Sequence, residues 1–85
     1  MTQSVVERFR ELATAAFASD SELSLRSVRF VDVEIDDRHI VVLAMVNRLL
    51  TRIHLSISPS QALEDGAAFT GQAIARTKIV LRSLM

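Results

Sequence analysis

The chain has 85 residues, of which 49% are hydrophobic, and its ten basic side chains are balanced by ten acidic ones. This length predicts a single domain over residues 1–85, and the balanced charge argues against partners held mainly by electrostatics, such as nucleic acid or an anionic membrane. Cysteine is absent, which excludes disulfides and cysteine-based catalysis or metal binding.

An N-terminal helix is predicted over residues 4–18. Ser4 and Glu7 have the spacing of a capping box, in which each side chain satisfies a free backbone N–H. The polar residues 19–21 favour local hydrogen bonds and predict the helix end, although a short continuation through residues 22–23 is an alternative. One broad apolar stripe recurs at three- and four-residue spacing: Val5, Val6, Phe9, Leu12, Ala13, Ala16 and Phe17.

A first strand is predicted over residues 25–35, and its apolar alternation changes phase near Phe30. A β-bulge explains the change, and a strand with two partly apolar faces explains it equally well. Asp36-Asp37 predicts a two-residue turn into a second strand over residues 38–46. Such a turn would pair Ile35 with Arg38, Val33 with Ile40, Val31 with Val42, Phe30 with Leu43, and Val28 with Met45.

The second strand is apolar on both sides, which is the most informative feature of the sequence. The first predicted face gathers Val31, Val33, Ile35, Ile40, Val42 and Ala44. The second gathers Val28, Phe30, Val41, Leu43 and Met45. A small antiparallel sheet usually leaves one face in water, so a second layer or a second chain is expected to cover this one.

Residues 47–48 predict the next turn, and a third strand follows over residues 50–57. Its mainly apolar side belongs to the first face and consists of Thr51, Ile53, Leu55 and Ile57. Arg52 and His54 therefore lie on the second face, opposite the acidic Asp32 and Glu34 of the first strand.

A long C-terminal helix is predicted over residues 59–84. Ser58 suits the N-cap, Pro59 suits the first helical position, and Gln61 completes a capping box. Small residues around Gly66 and Gly71 suggest close approach by a helix of a second chain. Packing on the chain's own sheet, or a kink near Gly66, is the alternative.

The predicted fold is therefore α+β, in the order helix, three-stranded antiparallel meander, long helix (αβββα). Two arrangements would cover the second face of the sheet. In one, a two-fold axis sets the second face against the same face of another chain, which makes a homodimer. In the other, one helix lies on each face and no partner is needed.

The sequence contains no pattern typical of a catalytic or ligand site. Glycine-rich phosphate loops and nucleophile elbows are absent. Asp36, Asp37 and His39 would offer a metal ion too few ligands on one side of a strand. We expect no catalytic, cofactor or metal residues. No signal peptide or apolar run of membrane length is visible, so a cytoplasmic protein without a membrane segment is expected.

These observations favour a small non-enzymatic protein–protein interaction module, such as an adaptor, assembly factor or inhibitor, that acts as a homodimer. The candidate interface residues are Phe30, Val41, Leu43, Met45, Arg52 and His54 on the sheet, and Gly66, Gly71, Ala75, Ile79 and Arg82 on the long helix. The alternative is a nucleic-acid regulator that uses the arginines near the strands, Arg26, Arg29, Arg48 and Arg52. A third reading is a small-ligand or metal-dependent enzyme built around His39 or His54.

Overall fold

The computed structural model describes residues 5–36 and 38–83. Its elements are α1 (Val5–Ser19), α2 (Ser21–Leu25), β1 (Arg29–Ile35), β2 (Ile40–Val46), β3 (Leu49–His54), α3 (Pro59–Glu64) and α4 (Gly66–Ser83). The three strands form an antiparallel sheet in the order β1-β2-β3. This confirms the α+β class and the αβββα order. The predicted cap at Ser4, turn residue Asp37 and helix end at residue 84 lie outside the described residues.

The two long helices pack together through aromatic side chains. The apolar stripe predicted for α1 is confirmed from Phe9 onward, because Phe9, Ala13 and Phe17 are buried at four-residue spacing, whereas Val5 at its start is 40% exposed. A matching stripe on α4 consists of Phe69, Ala73, Thr77 and Leu81. The rings of Phe9 and Phe69 lie 4.7 Å apart between centroids, so the two helices form one continuous layer.

This helical layer covers one face of the sheet. Along β2 the even-numbered residues are 0% exposed: Ile40, Val42, Ala44 and Val46. The odd-numbered residues between them are only partly buried. All four helices contribute residues to the same core. The protein therefore has two layers, and the predicted three-layer alternative, with one helix on each face, is wrong for the described residues.

The predicted pairing of β1 with β2 is wrong by two residues next to the loop and by one residue beyond the bulge. The observed pairs are Ile35 with Ile40 and Val33 with Val42, so four residues rather than two connect the strands. The Asp36 carboxylate Oδ1 explains the longer loop, because it accepts hydrogen bonds from the backbone N–H groups of Arg38 and His39. These hydrogen bonds lower the pKa of Asp36. A two-residue turn would lose them.

The bulge near Phe30 is confirmed, and because of it Val28, Phe30 and Val31 do not lie on their predicted faces. The register shifts between Phe30 and Asp32, which leaves Val31 as the extra residue. Phe30 pairs with Ala44 and its ring lies 5.8 Å from that of Phe17 in α1. Its assignment to the second face is therefore wrong. Val28 is also in the core, at 6% exposure, whereas Val31 is 48% exposed.

The segment before β1 forms a short helix rather than the start of the strand. Asp20 occupies the N-cap of α2, and its carboxylate accepts a hydrogen bond from the Leu23 N–H at 3.0 Å. The same carboxylate lies 3.0 Å from the Lys78 ammonium of α4. Leu23 is fully buried. The predicted strand start at residue 25 is wrong because the Asp20 cap begins a new helix that buries Leu23.

Asp20→Ala should lower the free energy of unfolding by about 1 kcal/mol, mostly through the lost cap. The Leu23 N–H and the Lys78 ammonium lower the pKa of Asp20. The charged carboxylate therefore stabilises the fold above its unfolded pKa of about 4 and loses this effect as the pH falls through the lower folded value. Urea unfolding at pH 7 and pH 2 should show the difference between variant and wild type shrinking in acid. Asp20→Asn, which keeps a capping oxygen, should lose less at pH 7.

The predicted C-terminal helix is two helices separated at Asp65. The capping box of Ser58 and Gln61 is confirmed and begins α3. Asp65 then takes an extended conformation, with φ −136° and ψ 88°, and its carboxylate accepts a hydrogen bond from the Ala68 N–H. A single helix is wrong because Asp65 ends α3 and caps α4 at the same position.

The second hairpin is close to its prediction. Asn47 and Arg48 adopt positive φ values of 51° and 66°, the conformation of a two-residue hairpin turn. β3 ends at His54 rather than at residue 57. The inward positions continue past the strand, because Ile53, Leu55 and Ile57 are all buried.

Candidate interaction surface

The sheet face opposite the helices is the candidate functional surface, and we call it the open face. Nine residues of this face form three rows across the strands, as the strand register shows. The rows are Glu34, Val41 and His54; Asp32, Leu43 and Arg52; and Arg29, Met45 and Leu50. Among the residues that the structure describes, no helix packs on this face.

An apolar strip runs down the middle of the open face. Val41, Leu43 and Met45 are its members on β2, and each is partly exposed. Leu50 extends the strip onto β3 and is 60% exposed. Sequence reasoning left Leu50 out of the strip, although its alternation with Arg52 and His54 was the available signal. The strip presents aliphatic surface that the chain's own helices leave uncovered.

The acidic flank of the strip lies on β1. Asp32 accepts a hydrogen bond from Arg10 Nε of α1 at 2.6 Å, and its Oδ1 also accepts from the Val33 N–H. Both interactions lower the pKa of Asp32, the Arg10 contact most strongly. The carboxylate is therefore ionised at neutral pH, and about 39% of the side chain is exposed. Glu34 is also exposed and follows on the same face.

The basic flank lies on β3, as predicted from the alternation of Arg52 and His54. One ion pair joins the two flanks, because Arg52 Nη2 lies 3.6 Å from Glu34 Oε1. The two residues come from the strands on either side of β2 and from adjacent rows. Their side chains must therefore meet above β2 between Val41 and Leu43. At this exposure, such a pair contributes at most about 1 kcal/mol and is easily opened.

The predicted interface residues of the long helix do not form one surface. Gly66 packs against α1, since a Cβ atom there would lie 3.3 Å from Leu12 Cδ1. Gly71 and Ala75 are exposed, and Ile79 is 59% exposed. Arg82 lies 3.9 Å from Glu22 of α2. Packing within the chain thus explains Gly66, while Gly71, Ala75 and Ile79 remain on the outer side of α4.

Neither histidine lies in an enclosed site. His39 is exposed in the first hairpin loop, with Nδ1 3.4 Å from Asp36 Oδ1. His54 is exposed on the open face, in the row of Glu34 and Val41. Within the described parts of the chain, no three His, Asp or Glu residues are placed to hold a metal ion. A general base would need an orienting group and a site that excludes water.

The arginines proposed for nucleic-acid contact are spread over several elements. Arg29 lies on the open face beside Met45, and Arg48 lies in the turn after β2. Arg26 ends α2, and Arg52 is paired with Glu34. The acidic Asp32 and Glu34 interrupt the basic residues on this face, and no aromatic ring belongs to the nine residues of its three rows. Base stacking therefore has no platform here.

Within residues 5–36 and 38–83, no helix combines the length and the apolar character that crossing a bilayer requires. Comparison of the chain with protein-family models, with curated proteins and with solved structures finds no match.

Proposed function

We propose that this protein is a small non-enzymatic protein–protein interaction module that works as a homodimer, with the open face as its contact surface. One observation supports the proposal most strongly. The apolar strip of Val41, Leu43 and Met45 lies on a sheet face that the described helices leave open. Association removes such a strip from water, and the charged flanks supply specificity.

The size of the open face indicates a weak and reversible dimer. Three strands spaced about 4.8 Å apart, with seven residues at about 3.3 Å each, give a face of roughly 14 by 23 Å. This footprint is small beside the roughly 800 Å² per partner that stable interfaces bury. Dissociation constants in the micromolar range or above fit an adaptor or assembly factor that exchanges partners.

Light scattering over concentrations from about 1 μM to about 1 mM should show wild-type protein passing from monomer to dimer. Leu43→Asp should remain monomeric over the same range, because a carboxylate at the centre of the strip would be desolvated in the dimer. The matched control is Ala75→Asp on the exposed side of α4. It should dimerise like wild type.

The opposite pattern would identify a different surface. If Ala75→Asp dissociates the dimer and Leu43→Asp does not, α4 is the interface and the open face is not. A wild-type protein that stays monomeric up to about 1 mM contradicts the homodimer itself.

The alternative function, a nucleic-acid regulator, has Arg26, Arg29 and Arg48 in its favour, since all three lie at or near the end of the sheet where β1 begins. Contacts of these guanidinium groups with phosphates would give strongly salt-dependent binding. A gel shift on generic DNA and RNA at low ionic strength that disappears at high salt would favour this function over the interaction module.

A further inference from the structure

We infer that the second copy packs face to face about a two-fold axis parallel to β2. In this arrangement Asp32 and Glu34 of each copy face Arg52 and His54 of the other. The inference rests on the proposed function, because it orients the partner of the open face. It follows from the strand register together with the signs of the charges.

Rotation about an axis parallel to the strands exchanges the two flanks and leaves each row opposite the same row. β1 of one copy then lies over β3 of the other, and β2 lies over β2. In the Leu43 row, Asp32 meets the second copy's Arg52. In the Val41 row, Glu34 meets the second copy's His54. Both contacts occur twice, as an isologous interface requires.

The other face-to-face arrangement has its axis in the sheet plane and perpendicular to the strands. With that axis through Leu43, β1 lies over β1 and β3 over β3. Asp32 then meets the second copy's Asp32, and Arg52 meets the second copy's Arg52. Like charges are opposed at the centre of the contact, which disfavours this orientation.

When the dimer forms about the parallel axis, Arg52 exchanges one ion-pair partner for another. In the single chain, Arg52 reaches across the apolar strip to Glu34 at 3.6 Å. When Arg52 turns towards the second copy's Asp32, it uncovers the apolar surface between Val41 and Leu43. Asp32 Oδ2 accepts a 3.3 Å hydrogen bond from Arg10 Nη2, so the second copy's Arg52 would share this carboxylate with Arg10. The charged side chain that covers the strip in the monomer thus becomes a contact between the copies.

Single-cysteine variants separate the two orientations, and the chain has no native cysteine to interfere. Facing sheets lie about 10 Å apart, so with the parallel axis each Val41 lies about 10 Å from its counterpart. With the perpendicular axis, Val41 lies over Met45, and the two Val41 residues are roughly 16 Å apart. Val41→Cys alone and Met45→Cys alone should each cross-link with a bismaleimide that spans about 10 Å. Cross-linking only in a mixture of the two variants overturns the parallel axis.

Charge reversal gives an independent measure of the same orientation. Arg52→Glu should raise the dimer dissociation constant about tenfold or more, because it places two carboxylates together at two equivalent contacts. With the perpendicular axis, Arg52→Glu only replaces one like-charge contact by another, and the constant should stay within about threefold. Such a small change overturns the inference.

Light scattering and cross-linking together distinguish a failure of this inference from a failure of the proposed function. A wild-type monomer at every concentration overturns both. A dimer that Leu43→Asp dissociates, but that cross-links only as the mixture of Val41→Cys and Met45→Cys, overturns the orientation and leaves the open face as the interface. A dimer that resists Leu43→Asp overturns both again.

Discussion

Phe9→Ala should lower the free energy of unfolding by about 3–5 kcal/mol. Phe9 is 0% exposed, and its ring packs against that of Phe69, with centroids 4.7 Å apart and ring planes inclined by 31°. Truncation removes the ring contact between α1 and α4 and leaves a cavity that the surrounding side chains fill only in part. Small domains have a total stability of about 5–15 kcal/mol, so the variant should be close to unfolding at 25 °C.

Urea unfolding followed by circular dichroism measures this loss. If the free energy of unfolding falls with urea concentration at the same slope as in wild type, the unfolded state is the same. Phe30→Ala is the matched control, because the same atoms are removed from a partly exposed ring beside Phe17. It should lose only about half as much, since part of that ring already contacts water. Equal losses at Phe9 and Phe30 would contradict a core in which Phe9 is fully buried and Phe30 only partly buried.

The sequence predicted those features of the helices that depend on residues close together in the chain. The capping box of Ser58 and Gln61 joins residues three positions apart, and the apolar stripe of α1 is a periodicity within one helix, so both patterns can be read directly. The same local chemistry also explains the errors. The prediction places Asp20 in the segment between the first helix and the first strand, and Asp65 inside one long helix. It identifies neither as an N-cap, although Asp is a favourable N-cap residue.

The strand register could not be read in the same way, because it depends on loop length and on a bulge. The first hairpin loop is two residues longer than predicted, and a shift of two leaves every side chain on its face. Val33 and Ile40 were therefore assigned to the correct face from the wrong pairing. The bulge at Val31 shifts the register by one, which reverses the face of Phe30.

Strand periodicity predicts which residues share the open face, but not whether a helix covers it. The sequence indicated that Val41, Leu43 and Met45 share a face with Arg52 and His54, because strand periodicity requires it. It gave no means of choosing whether a helix covers that face. The packing of Phe9 against Phe69 places α1 and α4 in one layer, and that layer shares a core with the opposite face of the sheet. Such a contact joins residues sixty positions apart, beyond the reach of any local pattern.

The same substitution at two neighbouring positions of β2 should have opposite consequences. Val42→Asp should unfold the protein, because Val42 is 0% exposed and the carboxylate would lie among apolar side chains without a partner. An unpaired buried charge costs several kcal/mol, which is a large part of the stability of a small domain. Leu43→Asp should remain folded.

The contrast arises from the face that each side chain occupies. Leu43 is partly exposed, and its cross-strand neighbours are Asp32 and Arg52. A new carboxylate there has one neighbour of like charge and one of opposite charge, so the two electrostatic effects oppose each other. The remaining loss, from the poor strand preference of aspartate, is about 1 kcal/mol. Circular dichroism and thermal unfolding at low protein concentration, where wild type is also monomeric, compare the folds directly. If Leu43→Asp unfolds as completely as Val42→Asp, the apolar strip is part of the core, and a surface available to a second copy no longer exists.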